Sequence, residues 1–96
     1  MKMIMLVFNE AVDEEVCELL EACRLDNYTR IDGIFGKGRT SGTHLGTEIW
    51  PGRNNSLLLA VPEEVVEPVL DGIRELRKTM GAEGIKAFAW NLEAVI

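Results

Sequence analysis

The chain opens on an almost unbroken apolar run, Met3 to Phe8. A run that short and continuous predicts a strand over residues 2–9 covered on both faces. The period then changes. Val12, Val16, Leu19, Leu20 and Cys23 recur at steps of three and four, with Asp13, Glu14, Glu15, Glu18 and Glu21 on the other side. This predicts an amphipathic helix over 11–24, its acidic first turn matching the positive end of the helix dipole and Arg24 the other end. Asp26-Asn27 reads as a turn. Tyr28 to Phe35 alternates as a strand, Tyr28, Arg30 and Asp32 against Thr29 and Ile31, until Gly33 breaks the pattern.

A second continuous apolar run, Ser56 to Val61, predicts another central strand, with Asn54-Asn55 as the turn leading into it. Pro62 and Glu63-Glu64 open a second helix to about Met80, striped by Val66, Val69, Leu70, Ile73, Leu76 and Met80. Pro68 interrupts it, which predicts a kink or a helix that starts near Glu67. Gly81 is the expected stop. Ile85 to Leu92 alternates as a last strand. The order β-α-β-β-α-β predicts an α+β domain over 1–96 with ferredoxin-like topology: a four-stranded antiparallel sheet with two helices on one face. The first and third strands are apolar in both phases, so the sheet face away from the helices also needs cover. Nothing left in the chain can supply it, which predicts an oligomer.

Residues 36–55, GKGRTSGTHLGTEIWPGRNN, are long for a connection between two strands of one sheet. They hold five of the nine glycines and carry Lys37, Arg39 and Arg53 against Glu48 alone, in a chain whose net charge is -6. Glycines let backbone N–H groups approach an anion, and Lys and Arg supply countercharge. Gly36, Lys37, Gly38 and Arg39 are therefore candidate anion ligands. The stretch is neither a Walker A loop nor GxGxxG. A flexible, solubilising loop is the plain alternative. His44 is the only histidine: solvated, or a metal ligand with Glu48 or with symmetry-related copies. Trp50-Pro51-Gly52 is a rigid turn whose indole suits packing or an interface. A second Gly-rich stretch, Thr79 to Lys86, is either a plain helix cap or a second anion-facing loop through Gly81, Gly84 and Lys86.

Composition narrows the classes. With 47% apolar and 27% charged residues in 96, the chain matches an ordinary small globular domain. The acidic balance argues against a nucleic-acid binder. No apolar run approaches the roughly 20 residues of a membrane span, and the first strand meets Asn9-Glu10 too early for a signal peptide. A cytoplasmic protein with no direct membrane insertion is expected. Cys17 and Cys23 lie six apart on one helix, too far axially for a disulfide, and read as buried free thiols.

Taken together, these features resemble the PII-like superfamily of small trimeric signalling proteins, a group that includes the CutA-like proteins. Element order carries the resemblance over essentially the whole chain. Phe35-Gly36-Lys37 resembles the aromatic-glycine-basic start of the PII effector loop. Thr79, Gly81, Gly84 and Lys86 resemble the Gly-rich nucleotide loop before the last strand. His44 to Asn54, HLGTEIWPGRN, looks like the compact loop of PII-like proteins found beside transporters, heavy-metal efflux pumps among them. The pattern departs where Gly-Asp-Gly-Lys is expected: the chain has Ala82-Glu83-Gly84-Ile85-Lys86. The only tyrosine, Tyr28, precedes the loop, and no basic segment follows the last strand. These departures weigh against uridylylation and weaken the expectation of ATP and 2-oxoglutarate sensing.

The resemblance implies a homotrimer whose three sheets pack around a central axis, with loops projecting at the subunit clefts. It implies a non-enzymatic regulator that binds a small effector, an anion such as the nucleotides ATP or ADP. The loop through Thr43, His44, Trp50 and Arg53 would then dock on a partner, a membrane transporter. The competing expectation is a CutA-like or efflux-associated metal-responsive protein, with a divalent metal at His44 and Glu48. An enzyme is not expected, because no Ser-His-Asp set or paired-carboxylate site is visible. An RNA-recognition module would need exposed aromatics on the central strands and a basic sheet; those strands are aliphatic and the chain is acidic.

Overall fold

A computed structural model describes residues 1–35, 53–80 (backbone alone at Met80) and 84–96. The strands are β1 (Lys2–Asn9), β2 (Thr29–Ile34), β3 (Asn54–Val61) and β4 (Ile85–Asn91); the helices are α1 (Asp13–Ala22) and α2 (Glu63–Met80). The sheet order is β2-β3-β1-β4, with every neighbouring pair antiparallel. This is the ferredoxin-like arrangement expected from the pattern.

Burial explains the layering. Ile4, Leu6 and Phe8 on β1, Leu57, Leu59 and Val61 on β3, and Ile85 on β4 are buried with Val16 and Leu20 of α1 and Val66, Val69 and Ile73 of α2. Alternate strand positions thus share one core with the apolar stripes of both helices. The other sheet face carries three rows across β4, β1 and β3: Trp90–Met3–Ala60, Phe88–Met5–Leu58 and Lys86–Val7–Ser56. No described element covers this face. Phe88 and Trp90 remain 49% and 45% exposed.

Several boundaries move. A single 3-10 turn, Glu10–Val12, precedes α1, and the Asn9 side chain caps it by accepting from the Ala11 N–H at 2.9 Å. The helix ends at Ala22, where the Leu25 N–H donates to the Leu20 carbonyl at 2.8 Å and Arg24 takes a left-handed φ of 60°. Asn54 and Asn55 do not form a turn; they are the first residues of β3, paired with Asn9 and Phe8. α2 begins at Glu63, as Pro62 and Glu63-Glu64 predict, rather than at the alternative start near Glu67, and continues through Pro68. Glu64 and Pro68 are both exposed, so water can serve the Glu64 carbonyl that Pro68 has no N–H to reach. The helix ends at Met80, and the predicted stop, Gly81, lies outside the described residues.

α1 and α2 meet closely at Gly72. A Cβ there would lie 2.9 Å from Leu19 Cδ2 and 3.1 Å from Leu19 Cγ, so the whole isobutyl group would have to move. Overpacking costs about 1–3 kcal/mol, against about 1 kcal/mol of helix propensity gained by alanine. Gly72→Ala is expected to lower the melting temperature. Adding Leu19→Ala should make the Gly72→Ala step neutral or favourable, which a double-mutant thermal cycle would show.

Candidate functional site

Strand register decides what meets at the site. Asn9 pairs with Asn54, Ile34 also pairs with Asn54, and Phe8 pairs with Ile85. The end of β2, the start of β3 and the start of β4 therefore share one end of the sheet. Both Gly-rich stretches predicted to bind a ligand leave the sheet from that end. The Glu10 N–H, just past β1, donates to the Arg53 carbonyl at 2.7 Å and ties that end to the start of β3.

Of the predicted ligand residues, Gly84 is buried immediately before β4, and Lys86 is exposed two residues into it. Lys86 stands opposite Val7 on the face away from the helices. Arg53 is exposed beside Gly33. Gly36, Lys37, Gly38, Arg39, Thr43, His44, Glu48, Trp50 and Gly81 lie outside the described residues. Among the described residues, no group of three His, Cys, Asp or Glu side chains could hold a metal ion.

On the helix side of the same end stands a charged cluster that sequence reading missed. The Asp13 carboxylate, at the first position of α1, accepts from both terminal nitrogens of Arg30 on β2, Nη1 at 3.2 Å. It also accepts from Asn55 Nδ2 on β3 at 2.8 Å and from the Cys17 thiol at 3.4 Å. Arg30 Nε donates to Asp32 at 2.8 Å, and the Gly33 N–H donates to Asn55 Oδ1 at 3.4 Å. The Arg30 hydrogen bonds hold the Asp13 carboxyl below its usual range, with Asn55 adding to this and partial burial opposing it. The Arg30 guanidinium is raised in turn. Burial and the Asp13 carboxylate push the Cys17 thiol up. Both cysteines are free, as expected, though half-buried.

Asp13 lies 17 residues from Arg30 and 42 from Asn55, so no local motif announces the cluster. The one available signal was Arg30 itself, an arginine on the core-facing phase of a strand.

A family model described as "Nitrogen regulatory protein P-II" matches residues 1–96. CPII, a nitrogen regulatory PII-like protein from Thiomonas intermedia K12, solved bound to ADP, AMP and bicarbonate, superposes with a TM-score of 0.74 at 22% identity, covering 99% of this chain and 92% of that one. Its apo form gives a TM-score of 0.72 at 22% identity, covering 95% and 87%. A putative PII-like signaling protein from Thermus thermophilus gives 0.59 at 21%, covering 95% and 84%. At these identities the likeness to the solved structures is one of fold. No curated protein matches the chain.

Proposed function

The chain belongs to the nitrogen regulatory protein P-II family, and from that premise we propose that it is a non-enzymatic regulator working as a homotrimer. An adenine nucleotide binds at the loop-bearing end of the sheet, in clefts between copies. Its occupancy changes how residues 36–52 dock on a partner protein, a membrane transporter. The observation that carries this reading is the register that brings both Gly-rich stretches to one sheet end, with Lys86 exposed beside them. The CPII relative bound to ADP, AMP and bicarbonate supports the ligand class. The HLGTEIWPGRN stretch supports the transporter. The uncovered face with Phe88 and Trp90 supports the assembly.

Physically, charge-assisted hydrogen bonds to phosphate would hold the nucleotide. Calorimetric titration with ADP tests it. The wild-type protein is expected to bind, and Lys86→Ala is expected to weaken binding roughly 10- to 100-fold, the value of one hydrogen bond from a charged donor. A wild-type protein that takes up no ADP, or a Lys86→Ala variant that binds equally well, contradicts the nucleotide assignment.

A further inference from the structure

β2 does not run straight into residues 36–52. Asp32 pairs with Asn55, and Ile34 pairs with the next residue, Asn54. Gly33 is the extra residue, at φ 72°, which makes this a bulge of the type that needs a left-handed glycine. The bulge changes the phase of the strand. Asp32 shares the helix-side row with Asn55, while Ile34 joins the row of Asn54, which lies on the opposite phase. A one-residue slip that removed the bulge would reverse the faces of Ile34 and Phe35.

The Asp13 cluster grips this bulge from both sides. Arg30 is held in a two-pronged pair to Asp13, three residues before Gly33. Asn55 donates its Nδ2 to Asp13 and turns its Oδ1 to the Gly33 N–H. One carboxylate on α1 therefore sets the amide orientation of Asn55, and that orientation presents an acceptor to the bulge. None of these groups lies on the uncovered sheet face.

We propose that Asp13 is a positioning residue: through Arg30 and Asn55 it locks the Gly33 bulge, fixes the phase in which β2 enters residues 36–52, and so sets effector affinity without touching the effector. The last step rests on the nucleotide reading above; the locking of the bulge does not. A planar guanidinium on a carboxylate resists rotation in a way a lysine would not. The cluster also joins α1 to both strands that flank the segment, so a shift of α1 would be felt at both of its roots.

The experiment combines residue-resolved amide exchange with ADP titration on wild type, Asp13→Asn, Arg30→Lys and the swap Asp13→Asn/Asn55→Asp. The swap restores one carboxylate and one amide to the cluster. In Asp13→Asn the Gly33 amide is expected to exchange at least ~10-fold faster relative to the Leu6 amide, which reports global opening. ADP affinity is expected to fall ~10-fold, with both effects largely reversed in the swap. Arg30→Lys should follow Asp13→Asn in direction and serves alone if Asp13→Asn does not fold.

Gly33 exchange that rises only in step with Leu6 would reduce the cluster to ordinary stability and overturn the proposal. Lost Gly33 protection with unchanged ADP affinity would overturn the affinity step. A wild-type protein that binds no ADP would defeat the nucleotide reading and with it that step, while the exchange arm still decides whether Asp13 locks the bulge.

Discussion

A chain carrying Phe88→Glu and Trp90→Glu is expected to be a folded monomer, its share of the proposed trimer interface lost. Both residues lie on the sheet face away from the helices, at 49% and 45% exposure, in rows completed by Met5 and Leu58 and by Met3 and Ala60. A large aromatic side chain has about 150–250 Å² to bury, so roughly half of each remains to be covered. At about 25 cal/mol per Å² that is about 2–3 kcal/mol per aromatic per copy. Two carboxylates facing an apolar neighbour add a desolvation penalty of several kcal/mol more. The monomer core lies on the other face and is untouched, so circular dichroism should be unchanged. Sedimentation would show the loss of assembly, and the melting temperature should cease to depend on protein concentration.

Phe8→Ala acts on the other side of the sheet and should be the most damaging single truncation. Phe8 is 1% exposed and pairs with Asn55 on one side and Ile85 on the other. Such a truncation costs about 3–5 kcal/mol, from lost transfer energy and the cavity left behind. A small domain has about 5–15 kcal/mol in all, so the loss is a large fraction of it. For a chain this short each kcal/mol lowers the melting temperature by roughly 4–8 °C. Phe8 also underlies the strand ends from which both Gly-rich stretches depart. Phe8→Leu, which keeps most of the volume, should recover most of the stability.

The fold was legible because each element carries its own period. Met3 to Phe8 and Ser56 to Val61 are too short for helices and too apolar for surface strands. α1 and α2 each show one apolar stripe. Right-handed crossovers then leave few topologies. The doubly apolar strands also disclosed that a second face needs cover. Boundaries failed where a local signal was overruled by tertiary contacts. Asn54-Asn55 has turn composition, yet pairing with β1 and the Asp13 carboxylate hold it in β3. Pro68 looked like a breaker, yet it falls in an exposed turn where water can serve the Glu64 carbonyl.

At the site, the glycine pattern and local basic charge located the candidate segments, and register brought their strand ends together. The Asp13–Arg30–Asn55 cluster was illegible because its members are joined only by folding. Of the residues named from sequence for the two Gly-rich stretches, the structure places Arg53, Gly84 and Lys86 at the loop-bearing end of the sheet and Thr79 in the last turn of α2, where its hydroxyl donates to the Leu76 carbonyl.

The most direct test of the central claim is native mass spectrometry of the purified protein before and after addition of ADP. The expected spectrum shows three times the chain mass, with up to three added nucleotide masses. A monomer that takes up no nucleotide would contradict the assembly and the ligand together.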